Sequence, residues 1–220
     1  EPVGVVAGVT PVTNPTSTAI FKSLLALKTR CPIVFGFHPG AQKSSVAAAK
    51  IVRDAAIEAG APENCVQWIE HPSIEATGAL MKHPGVATIL ATGGPGMVKA
   101  AYSSGKPALG VGAGNAPAYI DTDVDIERAA NDLILSKHFD YGMICATEQA
   151  IIAHKDVYAP LVKELKRRKA YFVNADEKAK LEQYMFGCTA GSGQKPVLNS
   201  VVPGKSPQFI AKACLLYTSP

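Results

Sequence analysis

The segment Phe139–Gln149 (FDYGMICATEQ) contains the residue best suited to covalent chemistry. Cys145 follows Gly142 and lies just ahead of a predicted strand, a setting unlike that of a buried thiol. A thiolate is a good nucleophile, but a free cysteine has a pKa of about 8.5, so catalysis requires nearby dipoles or cations that stabilise the anion. A single cysteine is more often structural than catalytic, and this segment alone leaves both roles open.

Three further segments place polar or glycine residues where a ligand can approach the backbone. Thr10–Ser17 (TPVTNPTS) follows the first predicted strand, and Asn14 precedes Pro15 at the expected first helical position. Ala91–Met97 (ATGGPGM) follows a later strand, and its glycines allow a phosphate to approach a helix N-terminus. Local sequence favours a simple N-cap at Asn14 and a tight turn at the glycines. The glycine run Gly110–Asn115 fits either an interdomain cleft or a hinge.

Other site classes are not expected from the composition. The net charge is +4, and the basic residues are scattered apart from Lys166-Arg167-Arg168-Lys169, which argues against nucleic-acid binding. No apolar run approaches the roughly 18 residues of a membrane span. The histidines form no HxxxH or HExxH pair, so we expect no metal site. The cysteines form no CxxC pair and suit a reducing cytosol, as an odd set of five: Cys31, Cys65, Cys145, Cys188 and Cys214.

The first half of the chain alternates apolar strands with helical patterns. Apolar runs of this kind are typical of strands buried on both sides, so we predict an α/β fold with a doubly wound parallel sheet. The predicted strands are Val3–Val9, Pro32–Phe37, Val66–Ile69, Ala87–Thr92 and Ala108–Gly112. The predicted helices begin at Pro15 and at Pro95, and cover Ala41–Ala59 and Ser73–Lys82 between them.

The pattern changes near residue 113, where we predict a domain boundary. The second half is predicted to contain strands at Ala118–Asp121, Ala150–His154 and Tyr171–Asn174. Its predicted helices are one capped by Asp125, one capped by Asp156 and running to Lys169, and one at Glu177–Phe186. A loop rich in Gly, Ser and Pro is expected from Gly187 to Pro207.

Together these segments resemble the aldehyde dehydrogenase superfamily, and specifically its coenzyme A-acylating branch. The resemblance is carried by Thr10–Phe21, Ala91–Asn115 and Phe139–Gln149, and it runs almost continuously from Glu1 to Lys212. It is strongest to the aldehyde dehydrogenase portion of the bifunctional aldehyde-alcohol dehydrogenases. It implies a Rossmann-like NAD-binding domain at residues 1–112, part of an α/β catalytic domain at 113–212, and an atypical tail at 213–220.

The resemblance also implies roles for individual residues. Cys145 is expected to be the nucleophile, and Asn14 to donate a side-chain N–H to the oxyanion. His38 stands where hydrolytic members carry a lysine near the adenosine ribose. Val111 stands where they carry a glutamate base, which favours deacylation by a thiol. The residues expected to contact NAD are Val9, Thr10, Pro11, Val12, Thr13, Asn14, Gly94 and Gly112.

The implied activity is that of an NAD-dependent acetaldehyde dehydrogenase (acetylating), which interconverts aldehyde plus coenzyme A (CoA) with acyl-CoA. A cytoplasmic homo-oligomer, filamentous at full length, is expected. Two alternatives stay open: an acyl-phosphate-forming relative of the glutamyl-phosphate reductase type, and a non-catalytic piece that serves oligomer assembly. Because the chain begins at Glu1 without Met, we expect a fragment truncated at both ends, with little or no activity alone.

Overall fold

A computed structural model describes residues 1–216, which fall into two units, Glu1–Gly114 and a second unit that begins at Asn115. The first unit is built on a five-stranded, wholly parallel sheet. Its strands are β1 (Val5–Val9), β2 (Ile33–Gly36), β3 (Val66–Trp68), β4 (Val86–Thr92) and β5 (Ala108–Val111). The strand order is β3-β2-β1-β4-β5, so the chain changes direction across the sheet between β1 and β4.

Helices cover both faces of this sheet. The helices are α1 (Pro15–Lys28), α2 (Gln42–Glu58), α3 (Ile74–Lys82) and α4 (Pro95–Tyr102). Because neighbouring residues of a strand point to opposite faces, Val6 packs in the cluster under α1 and α2. Ala7 packs instead in the cluster that includes residues of α3 and α4. These two cores confirm the predicted doubly wound α/β fold.

The second unit has a parallel strand pair packed against two helices. Strands β6 (Ala116–Ile120) and β7 (Glu148–Ala153) pair along their length. Helices α5 (Ile126–His138) and α6 (Lys155–Arg167) contribute Leu133 and Leu161 to the core of this unit. Asp125 caps α5 as predicted, because its side chain accepts a hydrogen bond from Arg128 N at 3.1 Å. Two shorter helices follow, α7 (Ala175–Phe186) and α8 (Pro207–Ala213).

The predicted strand at Tyr171–Asn174 is wrong. Asn174 instead caps α7 in a reciprocal capping box: its side chain accepts from Glu177 N at 3.0 Å, and the Glu177 carboxylate accepts from Asn174 N at 2.8 Å. In the described part of this unit, β6 and β7 are the only strands, so the segment has no sheet neighbour. The capping box therefore decides the local structure against the β-propensity of the aromatic residues.

The predicted cap of α6 at Asp156 is also wrong. The helix begins at Lys155, and His154 Nδ1 accepts the hydrogen bond from Asp156 N at 3.3 Å. Asp156 lies inside the first turn, where a carboxylate still stabilises the positive end of the helix dipole.

The loop predicted from Gly187 to Pro207 is confirmed. Residues 187–206 contain no helix or strand, and α8 begins at Pro207. Of the atypical tail predicted at 213–220, residues 217–220 lie outside the described residues. Between residues 1 and 216, no helix is both long enough and apolar enough to cross a bilayer.

Candidate active site

The turns that follow β1, β2, β4 and β5 meet at one edge of the first sheet. In a parallel sheet all strand carboxyl ends lie at the same edge, and ligands bind where the strand order reverses. Backbone hydrogen bonds connect the turns there: Gly93 N donates to Val111 O at 3.1 Å, and Thr10 N donates to Gly36 O at 3.5 Å. The structure therefore brings together the predicted NAD-contacting residues, which are Val9–Asn14, Gly94 and Gly112.

Asn14 occupies the N-cap position of α1 without acting as a side-chain cap. Its backbone (φ −145°, ψ 62°) is neither helical nor extended, and its side chain accepts no hydrogen bond from the first turn of the helix. The side-chain oxygen instead accepts a bond from the Thr13 hydroxyl at 3.2 Å. Within residues 1–216 the Asn14 amide nitrogen has no hydrogen-bond partner. Asn14 therefore lies at the expected N-cap position but makes no side-chain capping bond, and its amide N–H group is available to a ligand.

The turn after β4 leaves open space at Gly94. A β-carbon added at Gly94 would meet no atom of the chain within 4 Å, and α4 begins at the next residue. The first N–H groups of a helix and its positive dipole end favour an anion such as a pyrophosphate. At Gly112 an added β-carbon would be 3.6 Å from Val98, an ordinary van der Waals contact.

A buried hydroxyl at the same edge lacks a partner in the described chain. Thr10 is 3 % exposed, and its Oγ1 forms no hydrogen bond. Buried polar atoms are nearly always hydrogen-bonded, so this hydroxyl is suited to a ligand group at the end of β1. The open space at Gly94 and the orphaned Thr10 hydroxyl together fit the nucleotide predicted for this edge.

The turn after β2 lies beside the turn after β1. His38 caps a short 3-10 turn, Pro39–Ala41, with its Nδ1 accepting from Gly40 N at 3.1 Å. A β-carbon on Gly40 would lie 3.8 Å from the Val12 side chain. His38 is exposed at this position, so the imidazole lies next to the predicted NAD-contacting turn.

Gly110 has a structural role distinct from that of Gly94. A β-carbon at Gly110 would approach the Tyr102 ring and Val98 to 2.8 Å, which is closer than real side chains come. The Tyr102 hydroxyl also accepts a hydrogen bond from Gly110 N at 3.1 Å. Gly110 therefore lets α4 pack directly on β5.

Cys145 lies in the second unit, in the turn that precedes β7. Thr147 closes the turn, because its backbone N–H and its hydroxyl donate to Ile144 O at 3.1 and 3.0 Å. Cys145 is exposed, whereas Cys31, Cys65, Cys188 and Cys214 are buried. All five are free thiols.

The backbone just ahead of this turn is strained. Asp140, Tyr141 and Gly142 follow one another with φ values of 49°, 50° and 73°. Left-handed conformations are costly for residues with a β-carbon and cluster at functional sites. The segment with this left-handed backbone, Asp140–Gly142, lies three residues before the exposed thiol.

Gln149 holds the strand that follows Cys145. Its side-chain oxygen accepts a hydrogen bond from Ala116 N at 2.7 Å, at the start of β6. The last residue of the Phe139–Gln149 segment thus fixes β7 against β6, which anchors one end of the Cys145 turn.

Sequence analysis missed Lys22, which is buried under the first site. Its ammonium donates hydrogen bonds to Val9 O and Leu90 O. The available signal was a lysine within the stretch Ala19–Leu25, in which the only other polar residue is Ser23, on a helix predicted to pack against the sheet. No group of three or more His, Cys, Asp or Glu residues in the described chain is arranged to hold a metal ion.

The family model described as "Aldehyde dehydrogenase family" matches residues 1–200 of this chain. The chain therefore belongs to the aldehyde dehydrogenase family. It is 66 % identical over 214 residues to aldehyde-alcohol dehydrogenase 2 of Entamoeba histolytica, covering 96 % of this chain and 25 % of that protein.

Two solved structures share the fold. The acetylating aldehyde dehydrogenase of Geobacillus thermoglucosidasius matches with a TM-score of 0.86 and 49 % identity, over 100 % of this chain and 47 % of that one. The propionaldehyde dehydrogenase of Rhodopseudomonas palustris, with bound CoA and an acylated cysteine, matches with a TM-score of 0.83 and 36 % identity, over 97 % of this chain and 47 % of that one. The chain spans about a quarter of the length of the curated relative and about half that of each solved structure.

Proposed function

We propose that this chain carries the nucleophile and the nucleotide turns of an NAD-dependent, CoA-acylating aldehyde dehydrogenase. The reaction interconverts an aldehyde, CoA and NAD+ with an acyl-CoA and NADH through a thioester on Cys145. The observation that carries the proposal is the exposure of Cys145, alone among five cysteines, directly after a strained turn. The R. palustris relative, which holds CoA and an acylated cysteine, supports the same chemistry.

In this proposal each of the two units has its own function. Residues 1–112 form the NAD-binding domain, because the switch point between β1 and β4 carries the turns that suit a dinucleotide. Residues 113–212 form part of the catalytic domain and carry Cys145. The boundary between the two units, at Gly114 and Asn115, lies two residues beyond this division.

The covalent step begins at the Cys145 sulfur. The thiolate attacks the aldehyde carbonyl carbon, a C–S bond forms, and the carbonyl electron pair moves to oxygen. NAD+, when bound, accepts the hydride that leaves this carbon. The C=O double bond then reforms, which leaves an acyl thioester on Cys145.

Asn14 stabilises the charge that develops on oxygen. Its side-chain amide donates a hydrogen bond to the oxyanion, as does the backbone N–H of Cys145. A donor that is held in place before the reaction stabilises transition-state charge at no further reorganisation cost. The support for this role is the Asn14 amide nitrogen, which has no partner in the described chain.

The acyl acceptor in this proposal is CoA, because a valine stands at the position where hydrolytic relatives carry the base that activates water. Val111, the last residue of β5, is an exposed valine at the position that the resemblance assigns to the glutamate of hydrolytic enzymes. With no carboxylate at this position to activate water, a thiolate, itself a strong nucleophile, displaces Cys145 from the thioester. The CoA sulfur gains the acyl group, and Cys145 leaves as the thiolate.

The acyl half-reaction tests the proposal, because a single acyl transfer to the thiol does not require the complete turnover that a fragment is expected to lack. The protein is mixed with acetyl-CoA or with acetyl phosphate, and its intact mass is followed alongside that of Cys145→Ala. The expected result is a gain of one acetyl group from acetyl-CoA that the variant does not show. Transfer from acetyl phosphate alone would contradict the proposal and favour the acyl-phosphate-forming alternative. Transfer from neither donor would contradict it in favour of a non-catalytic piece.

We also propose a cytoplasmic location and a homo-oligomeric full-length state. Five free thiols are typical of a reducing compartment. Phe21 and Leu24 of α1 are exposed apolar side chains, which supports the homo-oligomeric state because a second subunit could bury them.

A further inference from the structure

Lys22 is a buried cation with no ion-pair partner in the described chain. It is 2 % exposed, and it is the only buried lysine between residues 1 and 216. No carboxylate within that range lies at ion-pair distance from it. Burial lowers the pKa of Lys22 to about 7. Burying an amine raises the free energy of the folded state, whereas burying a methionine of similar size would not. The hydrogen bonds that the amine forms are therefore the contribution that distinguishes Lys22 from an apolar residue.

Those hydrogen bonds join one helix to two strands. Lys22 Nζ donates to Val9 O at 2.6 Å and to Leu90 O at 2.8 Å. Val9 is the last residue of β1, and Leu90 lies two residues before the end of β4. These are the two neighbouring strands between which the strand order reverses. A single side chain thus contacts the backbone on both sides of the switch point.

The same helix carries Asn14. Thr18, which is fully buried, donates from its backbone N–H and its hydroxyl to Asn14 O at 3.2 and 2.8 Å. Asn14, Thr18 and Lys22 are spaced four residues apart, so they follow one another along one face of α1. A helix rises 1.5 Å per residue, which places Lys22 about 12 Å beyond Asn14. Lys22 therefore fixes the helix whose first residues present the Asn14 amide.

We propose that Lys22 is a positioning residue that holds the Thr10–Asn14 turn and the Thr92–Gly94 turn at the spacing required by NAD+ and the oxyanion. This inference rests on the proposed function, because it assigns both turns to the nucleotide and the reacting carbonyl. Both hydrogen bonds can form whether or not the amine is protonated, because a neutral amine still carries two N–H donors for the two carbonyls. Lys22 itself touches no reacting atom.

A set of lysine variants tests the effect on the nucleotide. Lys22→Met removes both hydrogen bonds and keeps the side-chain length, Lys22→Arg keeps donors and charge, and Lys28→Met changes an exposed lysine of the same helix. Isothermal titration of NAD+ is expected to give binding about tenfold weaker for Lys22→Met, since small displacements of binding groups are costly. Binding should be unchanged for Lys28→Met and partly restored in Lys22→Arg. Equal binding by the parent and Lys22→Met would overturn the proposal.

Amide hydrogen exchange tests the same inference without the nucleotide. In Lys22→Met, exchange is expected to accelerate in residues 10–14 and 92–98 and to stay at the parent rate in α2. Unchanged exchange in both turns would overturn the proposal, and so would faster exchange throughout the first unit, which indicates only general destabilisation. If the parent bound no NAD+ while exchange rose in the two turns alone, the proposed function would fail and the positioning role of Lys22 would stand.

Discussion

The Thr13 hydroxyl donates a hydrogen bond to the side-chain oxygen of Asn14 across 3.2 Å, directly before α1. This contact occupies the amide oxygen and leaves the amide nitrogen without a partner in residues 1–216. An asparagine at an N-cap ordinarily uses that oxygen to accept a backbone N–H of the helix. Asn14 does not, so it lies at the N-cap position without capping the helix, and its amide nitrogen is available to a ligand.

Replacing Asn14 by alanine is expected to slow acetyl transfer from acetyl-CoA to Cys145 by about 100- to 1000-fold, the usual effect of losing one oxyanion donor. The rate is measured by quenched-flow mass spectrometry of the intact protein. Asn14→Asp keeps the size of the side chain but removes its N–H donors, so it should be slowed as strongly. A transfer rate for Asn14→Ala within about threefold of the parent would contradict the proposed role, because such a change is far below the loss of a donor.

Asn14→Ala should leave the free energy of unfolding nearly unchanged, because Asn14 makes no side-chain capping bond that the substitution could remove. The matched control is Ser73→Ala, because the Ser73 hydroxyl accepts a bond from Ala76 N at 3.0 Å and caps α3. Ser73→Ala is expected to lower the free energy of unfolding by about 1 kcal/mol, and Asn14→Ala by much less. Trp68, the only tryptophan, lies in β3 and reports urea unfolding of this unit. A larger loss for Asn14→Ala than for Ser73→Ala would contradict the structure.

Two glycine substitutions should separate binding from packing. Gly110→Ala pushes a β-carbon to 2.8 Å from Tyr102 and Val98, and overpacking of this kind costs about 1–3 kcal/mol of unfolding free energy. Gly94→Ala enters open space at φ −66°, so it should leave that free energy unchanged and weaken NAD+ binding. Urea titration and calorimetric NAD+ titration of both variants measure the two effects. Equal destabilisation by the two substitutions would be inconsistent with the described packing.

Much of the fold could be predicted because its signals are local. Apolar runs mark the buried strands, and Ser73 and Asp125 cap the helices that they precede. Tyr171–Asn174 was mispredicted because strand propensity depends on a neighbouring strand, while the Asn174 capping box depends only on residues three positions apart.

Less of the candidate site could be predicted from the sequence, because the residues that contact one another there are far apart along the chain. Lys22 binds carbonyls that are 13 and 68 residues away, and no local pattern indicates both partners. The left-handed backbone at Tyr141 likewise follows no residue preference, because among its neighbours only Asp140 and Gly142 are of types that adopt this conformation more readily. The resemblance, not periodicity, identified Cys145 and Asn14.

Lys22 should make the stability of the first unit depend on pH. Its pKa is about 7 in the folded protein and about 10.5 when unfolded, so between these values the unfolded chain binds more protons. Stability therefore rises with pH in this range, by at most about 1.4 kcal/mol per pH unit. The unfolding free energy of the parent minus that of Lys22→Met, followed by Trp68 fluorescence, should increase from pH 7 to pH 9. A constant difference would show that Lys22 titrates normally.

Glu164 should make the stability of the second unit depend on pH at acid pH, where stability again rises as the pH rises. Bidentate hydrogen bonds from Arg167 at 2.6 and 2.7 Å, with another from Arg168, lower the pKa of Glu164 to about 2 against the opposing effect of burial. Its stabilising contribution is thus present above about pH 4.5 and lost as the pH falls towards 2. Glu164→Gln should destabilise α5 and α6 at pH 7 and match the parent near pH 2, as measured by amide exchange.

The control for Glu164 is Asp132→Asn, which removes an exposed ion pair with Arg128. Exposed pairs contribute little, so exchange in α5 should change little at any pH. An effect of Glu164→Gln that stayed constant from pH 7 to pH 2 would contradict the assigned ion pairs.

The acyl-carrying role of Cys145 is tested most directly by mapping the acetyl group after reaction with acetyl-CoA. The protein is digested under acidic conditions that preserve thioesters, and the peptides of all five cysteines are quantified by mass spectrometry. The acetyl group is expected on Cys145, with one CoA released per group transferred, and the buried thiols of Cys31, Cys65, Cys188 and Cys214 should stay unmodified. Acetylation at an equal rate in Cys145→Ala, or on a buried cysteine in its place, would contradict the mechanism.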